Sequence, residues 1–164
     1  TIPKSYICNK KLLSMDWFKT REFNGKKEVF DPIRKKYYQL SPEEEVRQIT
    51  LHWLVEVHQY PAGLLAVEYP ITLNRLKKRC DIVVFSNHGK ALLIVECKAR
   101  GNHINQSVLD QAVRYNMKLH VQHLILTNIE TTYILKLDEK KEAYHVLTKL
   151  PAYAELIQAE AAPE

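Results

Sequence analysis

No apolar run in this sequence approaches the roughly 18 consecutive residues that a membrane-spanning helix requires, so the chain is not expected to cross a membrane. Residues 1–11 also lack the apolar stretch and small-residue cleavage site of a secretory signal, which points to a cytoplasmic location. Cysteine is scarce. Cys8, Cys80 and Cys97 are odd in number and none stands in a Cys-x-x-Cys pair, so they read as reduced thiols in a reducing compartment. The seven histidines are scattered, and His120 and His123 straddle a predicted helix-to-strand junction, so a histidine zinc centre is not expected. With four glycines in all, the chain has no glycine-rich phosphate loop, and no ATP hydrolysis is expected of it.

What is present is the composition of a globular protein. The 164 residues, 46% hydrophobic and 26% charged, fit one domain able to bury an ordinary core without metal or disulfide staples. A net charge of +5 suits a polyanionic partner, because clustered lysines and arginines bind phosphates and release counterions. Charge of this size occurs in many proteins that bind no nucleic acid, so it does not decide the function.

Along the chain, residues 1–40 are broken up by the Asn24-Gly25 turn signal, the Lys26-Lys27 pair and the Asp31-Pro32 step, and predict short strands and loops. The signal sharpens at Ser41-Pro42-Glu43. A serine cap, a proline in the first helical position and acids in the first turn predict a helix from about residue 42 to 58, with Val46, Ile49, Trp53, Leu54 and Val57 on its apolar side. Three strands are predicted at 64–72, 81–85 and 91–98, the last two joined through the turn-rich pentapeptide 86–90. A second helix over 105–120 carries Val108, Ala112, Tyr115 and Leu119, and two further strands follow at 121–127 and 131–137. The alanine- and glutamate-rich residues 154–164 are expected to fray. The expected domain plan is an N-terminal extension over 1–30, a single folded domain over 31–153 and a tail over 154–164. This order predicts an α/β fold with a central mixed sheet flanked by helices.

Side chains alternate along a strand, so Glu96 and Lys98 share one face while Val95 and Cys97 take the other. Asp81 heads the neighbouring strand, and a hairpin pairing brings it beside Glu96. Two carboxylates held in this way form a hard oxygen site of the kind magnesium prefers, and a phosphate and waters complete its shell. Lys98 adds a point charge suited to orienting a water and stabilising charge on a phosphate in reaction. The competing reading is a salt-bridged cluster at strand ends, since a bare Glu-x-Lys is common.

The surrounding motifs narrow the choice. Arg79-Cys80-Asp81 with its following strand, Leu93 to Ala99 with Glu96 and Lys98, Gln111 to Asn116, the upstream Ser41 to Gln48 and the later Leu126-Thr127-Asn128 together resemble the N-terminal nuclease domain of type I restriction enzyme motor subunits. The resemblance spans roughly residues 30–155 and implies a restriction-endonuclease-like core, α-β-β-β-α-β in order, of the PD-(D/E)XK class. It also implies DNA cleavage dependent on magnesium, or manganese as a substitute. Asp81 and Glu96 match the family's metal positions, and Lys98 the catalytic lysine. Cys80 stands where the family's name places proline. Partner subunits supplying target recognition or translocation are implied as well. The long helicase portion is not in this sequence, so the expectation is of a domain that is not by itself a translocating subunit.

The first helix offers three adjacent glutamates as a further metal ligand. At about 100° per residue Glu43 lies nearest the apolar stripe while Glu44 and Glu45 turn to solvent, so Glu43 is preferred and Glu44 competes with it. Gln111 and Tyr115 are one helical turn apart. The Gln-x-x-x-Tyr element resembles that of exonuclease-type relatives, with Gln111 positioning metal or substrate and Tyr115 buttressing it, although Tyr115 also belongs to the apolar stripe. Arg79 and Arg114 are candidate substrate contacts, along with Arg100, Lys77 and Lys78. Glu68 is explained equally well by pairing with Arg79 or by metal binding. The alternative to a nuclease is a catalytically silent module of the same fold that grips DNA or a partner.

Overall fold

The computed structural model describes residues 18–161, and Cys8 and the start of the N-terminal extension lie outside them. The first described elements are strands β1 (Thr20–Phe23), β2 (Lys26–Asp31) and β3 (Lys36–Gln39), which form an antiparallel three-stranded sheet. Asn24 and Gly25 carry φ of 49° and 71°, and with Phe23 paired to Lys26 they make the left-handed two-residue turn that the Asn-Gly pair favours. The turn after β2 is held by Asp31, whose Oδ1 accepts from the backbone amides of Ile33 and Arg34 at 2.7 and 2.8 Å.

Helix α1 (Pro42–His52) opens as its sequence dictates: the Ser41 hydroxyl accepts from the Glu44 amide at 3.1 Å and Pro42 occupies the first turn. It continues as a π-helical stretch, Trp53–Val57, before a short turn of 3₁₀ helix at Ala62–Leu64. Strands β4 (Leu65–Leu73), β5 (Leu76–Phe85) and β6 (Ala91–Cys97) follow, then α2 (Gln106–Leu119), β7 (His123–Thr127), β8 (Thr132–Asp138), β9 (Ala143–Val146) and α3 (Tyr153–Ala161). The larger sheet runs β4-β5-β6-β7-β8-β9, with β6 and β7 parallel and every other neighbour antiparallel. This is the mixed sheet expected from the element order.

The sheet separates two cores. On one face Ile82, Leu93, Val95 and Cys97 pack with Val46, Ile49 and Leu54 of the first helical segment and Leu156 of α3. On the other, Val83, Ile94 and Leu126 pack with Val108, Ala112 and Tyr115 of α2. Strand β6 is buried along its whole length, which explains its run of branched apolar residues. At roughly 1.5–3 kcal/mol for each large apolar side chain removed from water, the two cores fix the register of β6.

Three readings need correction. Strand β5 begins at Leu76 rather than near Asp81, because Asn74 and Arg75, with φ of 47° and 66°, close a tight hairpin with β4 that extends the pairing. Residues 154–161 do not fray: they lie within α3, tied down by Leu156 in the core and by the Tyr153 hydroxyl donating to the Phe85 carbonyl at 2.9 Å. Strand β9 was not foreseen, since its residues Ala143 to Val146 are mostly exposed and carry little apolar pattern. Among the described residues no helix is long and apolar enough to cross a membrane.

Candidate active site

The antiparallel pairing of β5 with β6 runs to Ile82 and Val95; Asp81 and Glu96 are the next residues on the two strands, and the Asp81 charge acts on Glu96. The third strand is irregular at this point. Glu68 of β4 has φ of 51°, a left-handed value that costs a non-glycine residue of order 1 kcal/mol, and the ladder between β4 and β5 skips the Glu68 and Asp81 positions. The distortion lies beside the site.

Each carboxylate is then held by different groups. Asp81 Oδ1 accepts from Arg47 Nη2 at 2.5 Å and Nε at 3.2 Å, while Oδ2 accepts from the Cys97 backbone amide at 2.8 Å. Glu96 Oε1 accepts from Gln111 Nε2 at 2.5 Å and Lys98 Nζ at 3.3 Å, and Lys98 also donates to Gln111 Oε1 at 3.4 Å. The Gln111 amide reaches the Tyr115 hydroxyl at 3.0 Å. Glu96 Oε2 is buried with no hydrogen-bond partner. Glu96 is only 2% exposed, and its pKa is pushed up to about 8, first by burial and then by the charge of Asp81, against the opposing pull of Lys98. An unsatisfied carboxylate oxygen in such a place is costly unless a cation or donor completes it.

Sequence reasoning brings together five residues that the fold also brings together: Asp81, Glu96, Lys98, Gln111 and Tyr115. Tyr115 serves both readings, since it lies in the core behind α2 and meets Gln111; burial, then the Glu96 charge, raises its pKa. Cys97 is fully buried on the opposite face, and burial pushes its thiol well above the usual range. Arg79 and Arg114 stay outside this cluster. The Arg79 side chain is 69% exposed and meets Glu68 at 3.5 Å, and Arg114 is exposed on α2.

The geometry assigned to the first-helix glutamates is reversed. Glu44 is the buried one, with a side chain 6% exposed against 48% for Glu43. The stripe drawn from apolar residues misses the reason: the buried face of α1 also carries Arg47 and Gln48, and Arg34 from the β2–β3 turn closes over it. Glu44 is consumed by ion pairs to Arg34 and Arg47 and accepts from Gln48 Nε2 at 2.9 Å. Glu43, one residue earlier, meets Arg47 Nη2 at 3.6 Å and adds to the electrostatic pressure on Glu96. It is the freer of the two.

Arg47 is the residue that sequence reasoning missed. Burial works against its charge, but Asp81 and Glu44 more than offset this and raise its pKa. Its signal was a basic residue set between Val46 and Ile49, where a solvated arginine has no place. Through Glu44 it joins a buried network with Arg34, Asp31 and Gln48; Arg34 Nε meets Asp31 Oδ2 at 2.6 Å and Gln48 Nε2 donates to the same oxygen at 2.9 Å.

A six-stranded mixed sheet with α1 on one face, α2 on the other and paired carboxylates at β5 and β6 defines a restriction-endonuclease-like α/β fold. A fragment assigned as an HsdR subunit of a type I restriction enzyme from Vibrio vulnificus YJ016 has a similar fold, with a TM-score of 0.56 at 17% identity over 73% of this chain. The chain spans 25% of that structure's length. The family described as type I restriction enzyme R protein N terminus (HSDR_N) matches residues 42–151, and the chain belongs to that family. It thereby carries a restriction-related domain. No curated protein matches the sequence at a significant level.

Proposed function

We propose that this chain is a divalent-metal-dependent nuclease that hydrolyses DNA phosphodiester bonds in restriction, defence or DNA processing. The observation that carries the reading is Glu96: a buried carboxylate with one oxygen unpartnered, beside a second carboxylate and within reach of a lysine. A purely structural salt bridge leaves no reason for the bare oxygen, since burial of an unmet acid is destabilising.

The donor set fits magnesium or manganese. Carboxylate oxygens are hard ligands, Glu96 Oε2 is free to accept a cation, and Asp81 Oδ2, which holds only the Cys97 amide, retains a lone pair beyond its present bond. No three or more His, Cys, Asp or Glu residues form a metal cluster among the described residues; Asp81 and Glu96 would be the protein ligands, and Glu43, whose charge acts on Glu96, is the first-helix acid proposed to join them. When bound, such an ion lowers the pKa of a water and neutralises charge on the scissile phosphate.

The chain's own residues supply the remainder. Arg47 and the Cys97 amide fix the rotation of Asp81, so its oxygens are set before substrate arrives. Gln111 holds Glu96 through Oε1, which leaves Oε2 without a partner, and Tyr115 braces Gln111. Lys98 carries its ammonium to the same carboxylate and is only partly exposed, so it can orient a water and stabilise charge developing on the phosphate. Arg79 and Arg114 are the surface cations assigned to substrate phosphates. DNA is the substrate, further subunits supply target recognition or translocation, and the setting is cytoplasmic.

The test is incubation of the chain with linear, circular and single-stranded DNA, with and without magnesium or manganese. Metal-dependent cleavage that disappears in Glu96→Gln is expected. Absence of cleavage on every form, with DNA binding retained, turns the reading to a silent binding module.

A further inference from the structure

The small sheet β1–β3 precedes residues 42–151, the stretch that defines the family, and the chemistry proposed above does not use it. It is where the chain's charge resides. Between residues 18 and 40 seven lysines and arginines stand against three acids, a surplus of four out of the whole chain's net +5.

Strand alternation sorts these residues onto two faces. Thr20 pairs with Val29 and Val29 with Tyr38, and Val29 and Asp31 are buried, so that side faces the body of the protein. The other side carries Arg21, Phe23, Lys26, Glu28, Phe30, Tyr37 and Gln39. Its one acid, Glu28, is bound to Arg21 at 2.7 Å. The aromatics are interleaved with cations: the Arg21 guanidinium lies 3.9 Å from the Tyr37 ring centre and 5.0 Å from that of Phe23. Lys19 Nζ lies 5.5 Å from the centre of Phe30, and Phe30 meets Tyr37 edge to face. Phe23 is 52% exposed in a strand whose four residues are all exposed.

A solvated charged surface explains the lysines but not an aromatic exposed among them. Rings give bases a face to stack on and cations follow a phosphate backbone, a pairing that suits strands whose bases are unstacked and free. At the edge of the small sheet an open cleft of about 710 Å³ reaches from Gln39 of this face and Tyr38 of the opposite face to Ala99, the residue after Lys98, and its lining carries Arg34 and Arg47 beside the acids Glu43, Glu44 and Glu68.

We propose that the outer face of β1–β3, centred on Phe23 with Lys19, Arg21, Lys26, Phe30 and Tyr37, binds a single strand of DNA. The inference rests on DNA being the substrate, as proposed above, but its test reads binding alone. Fluorescence anisotropy of a labelled oligodeoxythymidine, measured on the full chain without divalent metal, compares wild type, Phe23→Ala/Lys26→Glu and Lys140→Glu. The last makes the same charge change on the exposed turn between β8 and β9. The Phe23→Ala/Lys26→Glu variant should bind about tenfold or more weakly, with the slope of log affinity against log salt reduced by about one, while Lys140→Glu binds as wild type. Equal affinity of both variants, equal weakening of both, or a duplex of the same length bound more tightly than the single strand would each overturn the proposal. Loss of binding in the Phe23→Ala/Lys26→Glu variant stands even if wild type cleaves no DNA, so this inference and the nuclease reading fail separately.

Discussion

Arg47 grips Asp81 with two nitrogens on one oxygen, Nη2 at 2.5 Å and Nε at 3.2 Å, while the other oxygen accepts the Cys97 amide at 2.8 Å. The side chain at the head of the constellation is therefore oriented by α1 from one side and by the backbone of β6 from the other. An arginine suits this task because its planar fork offers paired donors, whereas lysine is a single point.

Removal of Arg47 should be severe. Arg47→Ala leaves Asp81 and Glu44 buried without their cation, and a loss of about 3–5 kcal/mol is expected, as for breaking a buried pair from one side. Arg47→Lys should lose less stability, yet fail to restore the two-nitrogen hold, so metal affinity should still fall. Urea unfolding measures the first and manganese titration the second. Unfolding of Arg47→Ala within about 1 kcal/mol of wild type would show that the pair does not hold the site.

Glu96 makes the metal-free protein sensitive to pH. Its pKa is raised to about 8 in the fold, from an ordinary carboxylate value when unfolded, so its neutral form is the one the fold favours. The stabilising contribution is complete below the unfolded value near 4.5 and declines as pH rises towards 8, with no further change from this group above that. Glu96→Gln, which removes the titrating proton, should flatten this decline and raise the melting temperature at pH 8 by several degrees relative to wild type. Parallel melting curves of the two proteins between pH 5 and pH 8, on the scale of the shift cited, would contradict the burial argument.

Manganese should reverse the same penalty. A cation bound to the folded state stabilises it by mass action, so the melting temperature should rise with concentration in wild type and stay constant in Asp81→Ala/Glu96→Ala. An equal rise in both proteins would place the ion elsewhere. Glu43→Gln tests the third ligand: a weaker but surviving response is expected, since Glu43 is the exposed acid and Glu44 is already committed to Arg34 and Arg47.

Lys98 separates catalysis from binding. Because its ammonium is partly exposed and pairs with only one Glu96 oxygen, Lys98→Ala should keep the fold and most DNA affinity, which rests on many phosphate contacts. Single-turnover cleavage should drop by about a hundredfold or more, the scale for losing one preorganised charge. An unchanged rate would reduce Lys98 to a structural partner of Glu96.

Much of this organisation was legible in the sequence, because it rests on local chemistry. The Ser41-Pro42 start of α1, the Asn24-Gly25 turn and the alternation that puts Glu96 and Cys97 on opposite faces follow from backbone geometry, and need no knowledge of distant residues. The paired acids and the Gln111–Tyr115 spacing were legible for the same reason. Tertiary structure decided which first-turn glutamate is buried, because Arg34 reaches α1 from a different strand pair and turns a nominally solvent-facing Glu44 inward. It likewise decided the role of Arg47, whose partner Asp81 lies 34 positions away in sequence, and the order of α3, whose Leu156 finds its core only once the sheet is assembled. Periodicity counts apolar residues, and a buried face held together by ion pairs escapes it. Only the folded chain supplies the partners that make such a face stable.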